Sequence, residues 1–268
     1  MDLRAWITGR VAAWLFLALG CGAAGASDLP ELRAKGVLRV LAVDLDEPDE
    51  FFQFEGEPGF DRELLESFAR LQGLKLEPVA VSGWAELVPA LVAVRGDVIA
   101  GRFTVTDERK RRIAFTHETF PTRTVVLTRR PAQRVATLEA LRALKVGTVR
   151  GSSMAEAVAR AGVPRANVDD SIPPGALPAA LAAGRVEAVL LGIESAIAAQ
   201  RADPALELGL FVGPPGSLAF GVRAADAQLR QALDRYIDNV RRTATWNRLA
   251  IKYFGESAPE VLRKARGE

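Results

Sequence analysis

Cysteine and histidine are almost absent from this chain, which has one of each in 268 residues. Cys21 has no second cysteine to pair with, so an intramolecular disulfide is excluded. His117 is too isolated to form a zinc site of clustered cysteine and histidine ligands. We therefore expect no metal and no cofactor. The fold must depend on a hydrophobic core, which a chain of this length can bury.

An excess of charge of either sign is also missing, because 35 basic residues are balanced by 33 acidic ones. Such a chain has no strong field to attract nucleic acid or an anionic membrane surface. We expect neither as a partner. His117 follows an apolar stretch that resembles a strand, and we expect it in a loop with no role as a ligand or base.

Long hydrophobic runs are missing beyond the N-terminus, so the rest of the chain is not expected to span a membrane. Near the N-terminus, Arg4 and Arg10 precede an apolar run at 11–19 that is too short to cross a bilayer as a helix. The run Ala24-Gly25-Ala26 is typical of a signal peptidase site. Residues 1–26 are thus predicted to be a secretory signal peptide, which implies a periplasmic protein. Lipidation at Cys21 is the alternative, and it would change only the anchoring.

The body of the chain alternates predicted strands and helices, which is typical of mostly parallel sheets covered by helices. The predicted strands are 37–43, 74–81, 96–100, 145–149 and 186–191. The predicted helices are 60–71, 85–94, 154–161, 176–183, 194–201, 226–242 and 246–253. The second half restarts the pattern of the first, which predicts two α/β lobes.

The lobes are predicted to be joined by two crossings, at 129–131 and 213–216, where prolines interrupt the pattern. With these crossings, residues 27–129 and 221–268 form the first lobe and residues 130–220 the second. A cleft between the lobes is the expected place for a ligand, because ligands favour the carboxyl ends of strands in open α/β sheets.

The segment 101–115, GRFTVTDERKRRIAF, combines hydroxyl side chains with an arginine at a predicted helix start. Asp107 and Glu108 suit the first turn of a helix, where negative charge meets the positive end of the dipole. Thr104 offers a hydroxyl, and Arg109 offers a planar charged group that suits a carboxylate. The segment therefore predicts an anion-binding turn. The alternative interpretation is a capped surface helix with a solvated basic face.

The order of these segments resembles the family 3 extracytoplasmic solute-binding proteins, periplasmic receptors for polar amino acids and related ligands. The likeness extends from GVLRV at 36–40 to YFG at 253–255, and its most specific part is 101–115. Other matching runs are GFD at 59–61, GSS at 151–153 and GRVEAV at 184–189. The resemblance implies a type II periplasmic-binding-protein fold, with two α/β lobes joined by two crossover strands around a ligand cleft. It also implies a monomer without catalytic residues that delivers its ligand to an ABC-transporter permease.

The resemblance implies a ligand-binding role for several residues. Arg109 would pair with the ligand carboxylate, and Thr104 and the backbone at Gly101 would add hydrogen bonds from the first lobe. Ser153, with Ser152 beside it, would hold the same carboxylate at a helix N-terminus of the second lobe. From the residues alone, both serines also suit helix N-caps.

An aromatic ring against the ligand side chain is also implied, and Trp84 stands at its position. A core aromatic that covers the following helix explains Trp84 equally well. Phe51 and Phe52 come late for the aromatic that the family places in the preceding loop.

Three positions depart from the family pattern. Gly192 stands where an aspartate usually takes the α-ammonium of the ligand, so either Glu194 substitutes or the ligand lacks that ammonium. The acidic loop at 44–50 is an alternative partner for a cation. Arg102 stands where small residues are common. Facing the cleft, it would favour a ligand with a second acid group, and facing outward it would be a surface arginine.

Two other functions stay open. Some periplasmic dehydratases of prephenate-like acids resemble this fold, and they would need a buried general acid in the cleft, for which Glu194 and Glu47 are the candidates. The run VRGD at 94–97, with the segment 101–109, is also similar to binding modules of membrane-bound lytic transglycosylases and sensor kinases. Because the sequence ends at Glu268 without a catalytic or membrane-spanning domain, we expect a stand-alone receptor that is not an enzyme.

Overall fold

The structure is a computed structural model that describes residues 28–45, 49–130 and 135–267. The predicted signal peptide with Cys21, and Asp46 and Glu47 of the acidic loop, lie outside the described residues. No helix within those ranges is both long and apolar enough to cross a membrane.

Helices and strands alternate through most of the described chain, except at two pairs of consecutive strands and in the C-terminal helices. The first part consists of α1 (Leu29–Lys35), β1 (Val37–Val43), α2 (Phe60–Leu71), β2 (Lys75–Val81), α3 (Trp84–Val92), β3 (Val98–Ile99), α4 (Asp107–Lys110) and β4 (Ala114–Thr122). The middle part consists of β5 (Thr124–Arg129), α5 (Leu138–Ala143), β6 (Val146–Gly147), α6 (Ser153–Arg160), β7 (Val168–Asp169), α7 (Leu177–Ala182), β8 (Ala188–Gly192), α8 (Ile193–Ala202) and β9 (Leu206–Phe211). The last part consists of β10 (Gly216–Val222), α9 (Ala227–Arg242), α10 (Ala244–Phe254) and α11 (Ala258–Arg266).

The strands form two five-stranded sheets of the same plan, with the orders β2-β1-β3-β10-β4 and β7-β6-β8-β5-β9. In the first sheet, β1 is parallel to β2 and β3, whereas β10 is antiparallel to β3 and β4. In the second sheet, β6 is parallel to β7 and β8, whereas β5 is antiparallel to β8 and β9. This arrangement confirms the predicted fold of two α/β lobes, but each sheet is mixed and not mostly parallel as the sequence pattern predicted.

The chain passes between the sheets twice. Arg123 alone separates β4 of the first sheet from β5 of the second, and residues 212–215 separate β9 from β10. The crossing predicted at 213–216 overlaps the second passage. The crossing predicted at 129–131 is wrong, because β5 precedes it and already pairs with β8 and β9. Because only Arg123 separates the consecutive strands β4 and β5, no break in the sequence pattern marks the first passage. The predicted lobe boundaries after residues 129 and 220 therefore do not follow the sheets.

Some elements differ from the predictions. His117 lies within β4, not in a loop, and its Nδ1 atom is 2.9 Å from a carboxylate oxygen of Asp238 on α9. This hydrogen bond raises the pKa of His117. The strands β3 and β6 have two residues each, and α11 was not predicted.

A cluster of aromatic rings attaches the C-terminal helices to the first lobe. Phe51, Phe60 and Phe120 are fully buried and contact each other edge to face, with ring centroids 5.4–6.0 Å apart. Phe254 and Trp246 of α10 join them, with Phe254 4.8 Å from Phe120. The phenylalanine of the GFD run is therefore a core residue that positions the start of α2.

A buried ionic group holds the strand β3 in place within the first lobe. Asp97, just before β3, is fully buried and accepts hydrogen bonds from the side chain of Arg39 at 2.8 and 3.1 Å and from its backbone N–H at 3.0 Å. Arg223, after β10, lies 3.4 Å from the same carboxylate and 2.6 Å from Asp226. Removing one partner of such a group leaves an uncompensated buried charge.

We expect Asp97→Ala to lower the free energy of unfolding by about 3–5 kcal/mol, because Arg39 and Arg223 lose their shared counter-charge. Urea denaturation measures this change. Asp107→Ala is the control, since the Asp107 side chain is 93% exposed, and its effect should stay within about 0.5 kcal/mol. Equal, small effects of the two substitutions would contradict the structural role of Asp97.

Candidate functional site

A cavity of about 500 Å³ lies between the two lobes. Trp84, Arg102 and Thr104 line it from the first lobe, and Ser153 and Glu194 line it from the second. The cavity thus lies where the cleft was predicted, and it brings most of the predicted ligand-binding residues together.

The turn after β3 has an unusual backbone that Asp61 holds in place. Gly101 has a φ of 81° and Arg102 a φ of 57°, both in the left-handed region, which arginine rarely adopts. Asp61, near the start of α2, accepts hydrogen bonds from the backbone N–H groups of both residues at 3.1 Å. Burial raises the pKa of Asp61 to about 7. The N–H of Gly101 is therefore bonded to Asp61 and does not point to the cavity.

Arg109 is a buried cation behind the wall of the cavity. Its side chain lies over the Phe103 ring, with the guanidinium carbon 4.2 Å from the ring centroid, and the residue is only 6% exposed. Its Nη1 donates to the carbonyl of Thr104 at 2.7 Å, and its Nη2 donates to the carbonyl of Gly151 at 3.4 Å. Burial lowers the pKa of Arg109 to about 10.

No carboxylate in the described part of the chain forms an ion pair with Arg109. A guanidinium has five N–H donors, and the backbone carbonyls of Thr104 and Gly151 use two of them. Arg109 does not itself line the cavity, but it contacts the lining residue Thr104. Glu156 and Glu108 lie near enough to favour the charged form of Arg109, but neither pairs with it directly. A buried charge without a direct partner suits an incoming anion.

The two serines of the GSS run differ in their contacts. Ser152 caps α6, because its hydroxyl accepts from the N–H of Ala155 at 3.2 Å and donates to the carbonyl of Val149 at 2.6 Å. Both bonds are internal to the second lobe. Ser153 instead points across the cavity, and its hydroxyl donates to the hydroxyl of Thr104 at 3.0 Å. Ser153 and Thr104 therefore form a direct hydrogen bond between the lobes.

Glu194 occupies the space that a side chain at position 192 would need. A Cβ atom built on Gly192 would lie 2.0 Å from one carboxylate oxygen of Glu194. The other oxygen accepts a hydrogen bond from the Thr122 hydroxyl at 2.8 Å. Burial raises the pKa of Glu194 above its usual value. An aspartate at position 192 and the present position of Glu194 thus exclude each other.

Arg102 faces the cavity, which decides between the two orientations left open by the sequence. Its Nε lies 3.3 Å from Asp49, and its Nη1 donates to the hydroxyl of Ser195 on α8 at 2.5 Å. Because Asp49 neutralises Arg102, the arginine adds little net charge for a second acid group of a ligand.

Trp84, the first residue of α3, belongs both to the core and to the lining of the cavity. Its ring is partly buried, lines the cavity and packs against buried residues of the first lobe. A role of Trp84 in ligand contact stays a prediction. Sequence reasoning included Asp49 only as one residue of the acidic loop, and it did not name Ser195. The position of Asp49 in the acidic loop was a signal for it, whereas nothing in the sequence marked Ser195.

The lobes approach each other closely at Gly151. A Cβ atom on Gly151 would lie 2.5 Å from the Cβ and 2.8 Å from the backbone N of Ala85 in α3. Gly151 also has a φ of 73°. The closed arrangement of the cavity therefore requires a glycine at this position, both for its backbone conformation and for the space beside it.

Comparison with known proteins agrees with this architecture. The model of the bacterial extracellular solute-binding proteins, family 3, matches residues 38–256. A crystal structure of a mutant of ArgBP from T. maritima superposes with a TM-score of 0.75 at 26% identity, covering 85% of this chain and 99% of that one.

Two curated relatives differ in how much of their length is matched. Membrane-bound lytic murein transglycosylase F of Pseudomonas putida (strain GB-1) is 26% identical over 258 residues, which cover 92% of this chain and 53% of that protein. The chain thus spans about half the length of this relative. The lysine/arginine/ornithine-binding periplasmic protein of Escherichia coli (strain K12) is 27% identical over 212 residues, which cover 73% of this chain and 78% of that protein.

We expect Gly151→Ala to hold the lobes apart, because its Cβ would collide with the backbone of α3. Small-angle X-ray scattering should show a larger radius of gyration than for the wild type. Gly184→Ala is the matched control, since Gly184 has a similar φ of 70° but nothing within 4 Å of its added Cβ. An unchanged radius in Gly151→Ala, or an equal increase in both variants, would contradict the role of this contact.

Proposed function

Because the chain belongs to the bacterial extracellular solute-binding proteins of family 3, we propose that it captures a small carboxylate-bearing ligand, an amino acid or a related organic acid, between its lobes. The observation that carries this proposal is Arg109, a buried cation that forms no ion pair within the described residues and that contacts Thr104 in the lining of the cavity. Two relatives, a lysine/arginine/ornithine-binding protein and ArgBP, support an amino acid as the ligand class.

The ligand carboxylate would pair with Arg109, which keeps donors available beyond its two backbone contacts. Thr104 and Ser153 would add hydroxyl donors from the two lobes, since each already reaches the other across the cavity. Ser152 would contribute through the N-cap that positions α6. Gly101 would contribute through the left-handed turn that Asp61 holds.

An α-ammonium group of the ligand would meet Glu194. Its carboxylate lies beside Gly192, at the position from which a longer side chain at residue 192 would extend. Burial raises the pKa of Glu194, and a bound ammonium would favour the ionised form by its charge. Arg102 and Asp49 form a neutral pair beside it, and the ring of Trp84 would contact the ligand side chain.

Binding would be coupled to closure of the lobes without any chemical step. The ligand would meet Arg109 and Thr104 of the first lobe, and closure would then add Ser153 and the N-terminus of α6. A ligand shifts the population toward the closed state only as far as it binds that state better. We propose that residues 1–26 direct export, that the closed form delivers the ligand to an ABC-transporter permease, and that the protein acts as a monomer.

A sensory or partner-binding module of the same fold is the alternative, and the likeness to lytic transglycosylase F supports it. Uptake of a radiolabelled ligand separates the two. Uptake that is lost when the gene is deleted supports transport, whereas uptake that is unaffected supports sensing or partner binding.

A second candidate activity is a dehydratase of prephenate-like acids, which Glu194 supports. A general acid at neutral pH needs a raised pKa, and burial gives Glu194 this property inside the cavity. Turnover of prephenate or arogenate by the purified protein, lost in Glu194→Gln, would establish this activity. We propose binding without catalysis, because the Glu194 carboxylate is already held by the Thr122 hydroxyl.

We expect Arg109→Ala to weaken binding of a carboxylate ligand by about 2–5 kcal/mol, because the buried carboxylate loses its counter-charge. Isothermal titration calorimetry with the amino acid that binds the wild type measures this loss. Lys110→Ala is the control, since Lys110 is an exposed neighbour on the same short helix, and its affinity should be unchanged. A folded Arg109→Ala protein with wild-type affinity would rule out the assigned carboxylate site.

A further inference from the structure

The cavity extends well beyond the polar groups that would bind an amino-acid backbone. From Glu194 it continues along the helices α7 and α8 of the second lobe. We call this part the alanine groove, and its lining includes Leu177, Ala179, Ala198, Ala199, Ala202 and Leu206. The groove and the polar site form one continuous cavity, so a single ligand can occupy both.

The small side chains of the groove create its space. Ala198 and Ala202 follow Glu194 along one face of α8, because residues spaced by three or four positions are neighbours on a helix. Ala199 is three positions before Ala202 and lies next to it on the helix surface. Ala179 lines the groove from α7. Each alanine ends at Cβ, and any longer side chain there would fill the groove. Leu206, which is 1% exposed, supplies buried apolar surface.

Two carboxyl groups along the groove, besides Glu194, differ in how their charge is reduced: one pairs with an arginine, and the other has a raised pKa. Asp203, at the end of α8, accepts hydrogen bonds from Arg129 at 3.2 Å and from the N–H of Ala205 at 2.9 Å. Glu50, which also lines the cavity, has a pKa that burial raises. Within the described residues, the groove therefore offers a cationic ligand group no unpaired carboxylate other than Glu50.

We propose that the natural ligand carries an extended apolar side chain of several carbons, which lies in the alanine groove while its carboxylate is bound at Arg109. This inference rests on the proposed function and narrows its ligand class. The cavity volume of about 500 Å³ is consistent with it, since pockets of about 300–1,000 Å³ hold ligands of drug size.

Calorimetry on the full protein with L-alanine, L-norvaline, L-norleucine and L-2-aminoheptanoic acid tests this proposal. Each added methylene buried in the groove should tighten binding by roughly threefold to fourfold. L-Lysine has the shape of L-2-aminoheptanoic acid with an ammonium in place of the terminal methyl group. It should bind at least about tenfold more weakly, because its charge would have to be buried beside apolar surface.

Two variants separate the groove from the rest of the site. Ala179→Phe should fill the groove and remove the gain along the series, so that L-2-aminoheptanoic acid binds no tighter than L-alanine. Ala183→Phe is the matched control, because Ala183 is also exposed at the end of α7 but does not line the cavity. It should leave the whole series unchanged.

The outcomes distinguish this inference from the proposed function. The apolar ligand alone would be overturned if affinity did not rise with side-chain length while binding still required Arg109. It would also be overturned if L-lysine bound as tightly as L-2-aminoheptanoic acid. Absence of binding by all five compounds, or binding that does not require Arg109, would overturn both. Loss of the gain in Ala179→Phe but not in Ala183→Phe is the result that supports the alanine groove.

Discussion

The structure depends on one contact between the lobes, at which the guanidinium of Arg109 lies between the carbonyls of Thr104 and Gly151. The two carbonyls belong to different lobes, so a single buried charge contacts both sides of the cavity. Backbone carbonyls offer dipoles but no compensating charge. A ligand carboxylate would supply that charge and at the same time bridge the lobes. Recognition and closure would then follow from the same group.

The rest of the site positions this contact. Asp61 fixes the left-handed turn at Gly101 and Arg102 through two backbone hydrogen bonds. This turn leads the chain to Thr104, whose hydroxyl meets Ser153. At Gly151, the lack of a side chain allows α3 to approach the second lobe closely. The run GFD and the glycine of GSS are therefore structural supports of the site, and the ligand contacts proposed here come from their neighbours.

The sequence predicted the two-lobed fold and the residues on both sides of the cleft, because alternating strand and helix patterns and the GRFTVTDER turn carry local signals. It did not predict the first crossing, since β4 and β5 follow each other with one residue between them. Which sheet each strand joins depends on distant parts of the chain. It left open the orientation of Arg102, which depends on Asp49 and Ser195 from distant parts of the chain. The sequence also left open whether Glu194 takes the place of an aspartate at position 192. The answer depends on the distance between the two residues, which only the structure gives.

The central claim is that a carboxylate completes the buried site at Arg109. A thermal-shift comparison of each standard amino acid with its own carboxamide tests it most directly, because the two members of a pair differ only in the charged group. A ligand at 100 times its dissociation constant adds about 2.7 kcal/mol to stability, which gives a readable rise in melting temperature. The account predicts that at least one amino acid raises the melting temperature and that its carboxamide does not. Equal shifts by an acid and its amide, or no shift by any acid, would contradict it.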